Sequence, residues 1–143
     1  MKNRGIQLLI VCLITFSCKT TDMASKKQES AELQNAKYEV VSLQKTDLND
    51  QKITMNLDIK ENSIIGNASC NDYRFEFKMK DKKISMKPGI ATKMYCEDKM
   101  ETENSFMKLM SQVKYIAQSD ENLYLKDSEN QLLIKAKKLK NRE

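Results

Sequence analysis

Gly66-Asn67-Ala68-Ser69-Cys70-Asn71-Asp72-Tyr73 is the stretch on which the reading of this chain turns, together with a second cysteine at the end of Ile90-Ala91-Thr92-Lys93-Met94-Tyr95-Cys96. Each cysteine ends or follows residues with strand-like alternation. In an exported chain such a pair is normally oxidised, so Cys70 and Cys96 are expected to form a disulfide and not a catalytic site. In the chain-entropy picture, a bridge closing about 26 residues stabilises the fold by roughly 3.5 kcal/mol, large beside a total near 5 to 15.

Export is read from residues 1–17. Lys2 and Arg4 form a positive start, Leu8 to Phe16 an apolar run, and Ser17 a small residue before the cut. That run is too short to span a hydrocarbon core, which takes ~20 helical residues. It reads as a signal peptide. Cys12 lies inside it and leaves with it. Thr15-Phe16-Ser17-Cys18 resembles the lipobox of bacterial lipoproteins, which implies acylation of Cys18 and makes the membrane the first partner. Lys19 follows the cysteine, and by the same resemblance the expected location is the periplasmic side of the outer membrane.

Cleavage removes two of 25 basic residues and leaves 23 against 20 acidic ones, a mild net charge of +3. The charges are interspersed, and no basic stretch of the sequence is interleaved with stacking aromatics, so nucleic acid is not an expected partner. Lys137, Lys138, Lys140 and Arg142 form the one basic cluster, read as a solvated C-terminus. Residues 18–36 are polar and poor in apolar positions and read as a tether spanning roughly 24 Å.

Residues 37–143 suffice for one domain, expected to be monomeric. Their rhythm has a period of two. Tyr38, Val40 and Ser42 alternate, then Ile53, Met55, Leu57 and Ile59, then Tyr73, Phe75, Phe77 and Met79. Shorter candidates run from Ile64, Ile84, Ile90, Val113, Leu123 and Leu132, with turn-type residues between them. The fold class expected is α+β: a strongly curved antiparallel sheet or barrel of about eight strands. One amphipathic helix interrupts it before a C-terminal hairpin. From Glu97 to about Gln112, Phe106, Met107, Leu109 and Met110 follow helical spacing. Glu97, Asp98, Glu101 and Glu103 load the first turns with the charge a helix N-terminus favours. Met100, Met107 and Met110 are read as core filler.

The order of these elements resembles the META domain, the family of HslJ-like envelope proteins. Gly66, Cys70, Asn71 and Tyr73 carry the first motif and Thr92, Met94 and Cys96 the second. Phe106 and Leu109 match the helix, and Leu123, Leu125 and Leu132 the closing strands. The chain departs where the family usually has an opening Trp (Tyr38), a Gly before the first cysteine (Ser69) and a Gly after Tyr73. The resemblance implies a small domain, often lipid-anchored in bacteria, with no catalytic residues to carry over.

The residue inventory agrees. The chain has no histidine, which excludes Ser-His-Asp and Cys-His triads and removes the commonest zinc ligand. Two cysteines do not complete a tetrahedral site, and Asp72 or Glu97 would have to help. The pair is not CxxC, which argues against a redox catalyst. Asp58, Glu76 and Asp120 are scattered, with no acid and base pair set by the sequence. Gly66 marks a bulge or a close strand crossing. No catalytic residue, cofactor or metal is therefore expected. The expected function is non-catalytic: envelope homeostasis or stress response through contact with another envelope protein. The alternative is a carrier or sensor of a small apolar ligand inside the curved sheet.

Overall fold

The computed structural model describes residues 33–48, 51–81 and 83–140. Residues 1–17, expected to be a signal peptide, Cys18, most of the expected tether and Arg142 lie outside them. Ten strands and one helix follow in order: β1 (Ala36–Leu43), β2 (Thr46–Asp47), β3 (Thr54–Asp58), β4 (Ser63–Asn67), β5 (Asp72–Lys80), β6 (Lys83–Met86), β7 (Ile90–Ala91), α1 (Met100–Gln112), β8 (Tyr115–Gln118), β9 (Asn122–Lys126) and β10 (Leu132–Lys138). Eight of them close a ring in the order β1-β3-β4-β5-β6-β8-β9-β10 and back to β1. Closure runs through Tyr38 opposite Lys138 and Leu43 opposite Ile134, a pairing of the two ends of the domain. It leaves the ring without the unpaired edge of an open sheet. β2 folds back on β1 and β7 pairs β5 outside the ring.

The period-two pattern explains the wall. In β3, β5 and β9 every second residue points inward, and Met55, Leu57, Phe75, Phe77, Leu123 and Leu125 are buried between polar, outward neighbours. β1 departs from that rhythm. A bulge between Val40 and Ser42 shifts the register, so that Ser42 and Leu43 are both buried.

A ring of eight strands has an interior that side chains can just fill. Helix α1 contacts β1, β6 and β10, and Phe106, Leu109 and Met110 are buried in one continuous apolar core with Tyr38, Phe75 and Ile134. The helix thus ends where its apolar stripe is covered. It is followed by three strands, β8 to β10, of which the last two make the expected hairpin. The core also takes in one polar pair. Gln118 Nε2 donates to the Tyr38 phenol oxygen and, at 3.1 Å, to the Gln34 carbonyl, while Gln34 N donates to Gln118 Oε1 at 2.7 Å. Burial pushes the Tyr38 phenol above its usual pKa range, and its bond to Gln118 opposes that shift. Gln34 and Ala36 therefore belong to the folded unit, a few residues ahead of Lys37. Among the described residues no helix is long and apolar enough to cross a membrane.

Gly66 sits at a close strand crossing. A Cβ there would lie 2.0 Å from the Thr54 carbonyl oxygen of the neighbouring strand. The same oxygen accepts the Tyr73 hydroxyl at 2.9 Å. Any larger residue would push β3 and β4 apart and break that bond.

A cystine-locked loop as the candidate functional site

The two cysteine segments meet at one rim of the barrel. Cys70 and Cys96 are joined, with their Cα atoms 6.0 Å apart across 26 residues of sequence. The turn that carries Cys70 is tight: Ala68 N donates to the Asn71 carbonyl at 2.7 Å. Cys96 opens the helical segment, its carbonyl accepting Lys99 N at 3.0 Å and Met100 N at 3.2 Å. The cystine therefore ties the β4–β5 turn to the start of α1.

Asn71 completes the lock from inside. Only 1 % exposed, it uses every polar atom of its side chain. Its Oδ1 accepts Met94 N and Thr92 Oγ1, each at 2.7 Å. Its Nδ2 donates to the Met94 carbonyl at 3.0 Å and to Glu103 Oε1 at 2.9 Å. Its backbone N donates to Glu103 Oε2 at 2.9 Å. Thr92 adds a further tie, its Oγ1 accepting Asp72 N at 3.1 Å. One asparagine thus holds three segments: its own turn, the 92–94 backbone and α1.

One expectation changes here, and one residue gains a role that the sequence did not give it. Glu103, one of the acids that load the first helical turns, does not face solvent. It is 6 % exposed, and its carboxylate is solvated by Asn71 in place of water. Its position three residues before Phe106 and seven before Met110 puts it on the apolar stripe, and that spacing is the signal for it in the sequence. The segment from Ile90 to Cys96 is not a barrel strand. It pairs with β5 only at Ile90 and Ala91, and beyond that Thr92 N on the Asp72 carbonyl and the side chain of Asn71 replace the ladder.

The result is a short loop, fixed at both ends and exposed along its length. Ile90 is 67 %, Met94 58 % and Tyr95 78 % exposed, the most exposed large apolar side chains among the described residues. Three such residues within six positions, on backbone held by a cystine and a buried amide, form an apolar contact surface that is already ordered. Beneath it, Tyr73 packs on Phe106 with ring centroids 4.9 Å apart. Burial holds the Tyr73 phenol far above its usual pKa range. The scattered carboxylates stay apart. Glu76 faces outward and accepts Lys87 Nζ at 2.6 Å, and that bond lowers its pKa. Among the described residues no three of Asp, Glu, Cys and His gather as a metal site.

Ser69 carries backbone strain. Its φ is 80°, a conformation open to glycine and costly for a side chain. This is the position before Cys70 at which the resembled family usually has Gly. Ser69→Gly is accordingly expected to stabilise the domain by about 1 kcal/mol, seen as a melting temperature raised by ~4 to 8 °C. An unchanged or lowered value would show that the turn is not strained.

Comparison with known proteins follows this geometry. No curated protein matches the chain. Two solved structures share the fold. One is an NMR structure of a protein from Burkholderia xenovorans, at 15% identity and a TM-score of 0.59, covering 77% of this chain and 85% of that one. The other, also solved by NMR, has 17% identity and a TM-score of 0.54 and covers 72% of this chain and 89% of that one. The META domain profile matches residues 31–139, which is the whole barrel with its helix and both cysteine segments, and the chain belongs to the META domain family.

Proposed function

We infer that this is a non-catalytic module of the bacterial envelope, held to the outer membrane by acylated Cys18 and working through contact with another envelope protein in homeostasis or stress response. The rim loop carries the reading. Ile90, Met94 and Tyr95 stand exposed on backbone that Asn71 and the cystine hold in place. A preordered apolar surface loses little conformational entropy when a partner covers it. Within the barrel, Phe75, Phe106 and Met110 are packed at 1 % exposure or less, so a lipid-carrier role would require displacing them.

The reading is tested by placing a photo-crosslinking side chain at Tyr95 in living cells. A discrete protein adduct is expected from Tyr95, and none from the exposed helix position Lys108. Adducts of the same pattern from both positions, or none from Tyr95, would count against the contact loop. The anchor has its own test. Cys18→Ser should release the domain from the membrane fraction or stall it as an uncleaved precursor, and a processed variant that stays membrane-bound would refute the acyl anchor.

A further inference from the structure

The barrel register gathers lysines that lie far apart in the sequence. Lys80 stands opposite Lys83, Lys83 opposite Tyr115, and Tyr115 opposite Lys126. This is one cross-strand row over β5, β6, β8 and β9. The flanking rows add Lys78, opposite Ser85, and Tyr124, opposite Lys135. Lys78, Lys83, Tyr124, Lys126 and Lys135 alternate with buried Phe77, Ile84, Leu123, Leu125 or Ile134, and Lys80 and Tyr115 share their row through the register, so all lie on the outer wall.

Two lysines directly opposite each other weaken a sheet. Among the described residues no carboxylate comes within ion-pair distance of any lysine in these rows, because both ion pairs found belong to Glu76, with Arg74 and Lys87. The nearby acids do not neutralise the wall. Asp127 Oδ1 is taken up by Glu129 N and Gln131 N in its own turn, each at 2.9 Å. Asp81 is the one acid beside Lys78, Lys80 and Lys83 around an open hollow of about 480 Å³.

We propose that this wall docks on an anionic lipid surface, with phosphate headgroups over the Lys78, Lys80 and Lys83 hollow and the Tyr115 and Tyr124 rings at headgroup level. The wall is built of strands and offers no helix to enter a duplex groove. A broad face of lysines around two half-buried tyrosines complements an extended anionic plane, where tyrosine is a favoured interfacial residue. The inference does not depend on acylation of Cys18. The lysine row also crosses β5 at the end away from β7, where Arg74 meets Ile90, so the membrane and the rim-loop partner can be engaged together.

The test uses the chain from Lys19 onward. The barrel closes between Ala36 and Lys138, so this form keeps every described contact and carries neither signal nor acyl group. Flotation with phosphatidylcholine vesicles, with and without phosphatidylglycerol, should show binding only to the anionic vesicles, and salt should reverse it. Replacing Lys80, Lys83 and Lys126 together by Ala should weaken binding about 100-fold, at about a factor of five for each lysine near the surface. Lys93→Ala on the rim loop should leave binding unchanged. Binding to phosphatidylcholine alone, binding to neither vesicle, or a folded triple variant that binds as well as the parent would overturn the proposal. So would lysine-dependent binding of single-stranded RNA in place of vesicles.

Discussion

Replacing Asn71 by Ala is expected to destabilise the domain by roughly 3 to 5 kcal/mol, read as the shift of a denaturant midpoint. The substitution removes the side-chain amide from the buried Glu103 carboxylate, leaving it only the backbone N of residue 71, and frees the Met94 backbone in the same step. Asn71→Asp should be worse still, because it sets a second carboxylate about 3 Å from Glu103. Glu101→Ala, on the exposed side of the same helix, should be nearly neutral. If Asn71→Ala cost no more than Glu101→Ala, the amide would not be holding the rim together.

The second large effect belongs to Phe106. It is 0 % exposed and stacks obliquely on Tyr73. Truncation to Ala removes buried apolar surface and leaves a cavity where α1 meets the barrel core, at an expected cost of about 3 to 5 kcal/mol. Lys108, two residues on, is exposed, and Lys108→Ala should change stability by less than about 0.5 kcal/mol. Equal effects at the two positions would mean that the helix lies off the core and that its apolar stripe is itself a partner surface.

Much of this architecture was legible because burial in a strand or a helix follows a local period. The alternation of Met55 with Leu57, or of Phe75 with Phe77, declares an inward face without knowledge of any neighbour. Phe106 and Met110 do the same at helical spacing. Closure of the barrel was not legible in that way. It depends on β1 meeting β10 across nearly the whole domain, and strand order and register are properties of pairs of segments.

The rim site shows where local reading stops. Ile90-Ala91-Thr92-Lys93-Met94-Tyr95 is a strand candidate in the sequence, yet period alone does not tell whether anything covers either face. The ladder ends after Ala91, and a side-chain amide takes its place. Glu103 counts in the sequence as one of four acids at the helix start, and its burial shows only when its place on the apolar stripe is combined with Asn71 from a distant turn. The lysine wall is a consequence of register alone: Lys80, Lys83 and Lys126 each occupy an ordinary solvent position in the sequence, and only the pairing of four strands lines them up.

The central claim is that the loop from Ile90 to Tyr95 is exposed yet held rigid, by the Cys70–Cys96 cystine and by Asn71. Backbone 15N order parameters measure this directly. In the oxidised protein the amides of Thr92, Met94 and Tyr95 should give values near 0.85, like the barrel strands. After reduction of the cystine combined with Asn71→Ala they should fall below about 0.6 while the strands of β9 and β10 stay ordered. Low values at Met94 and Tyr95 in the oxidised, unmodified protein would contradict the account, because a loop that is already mobile is not a preordered contact surface.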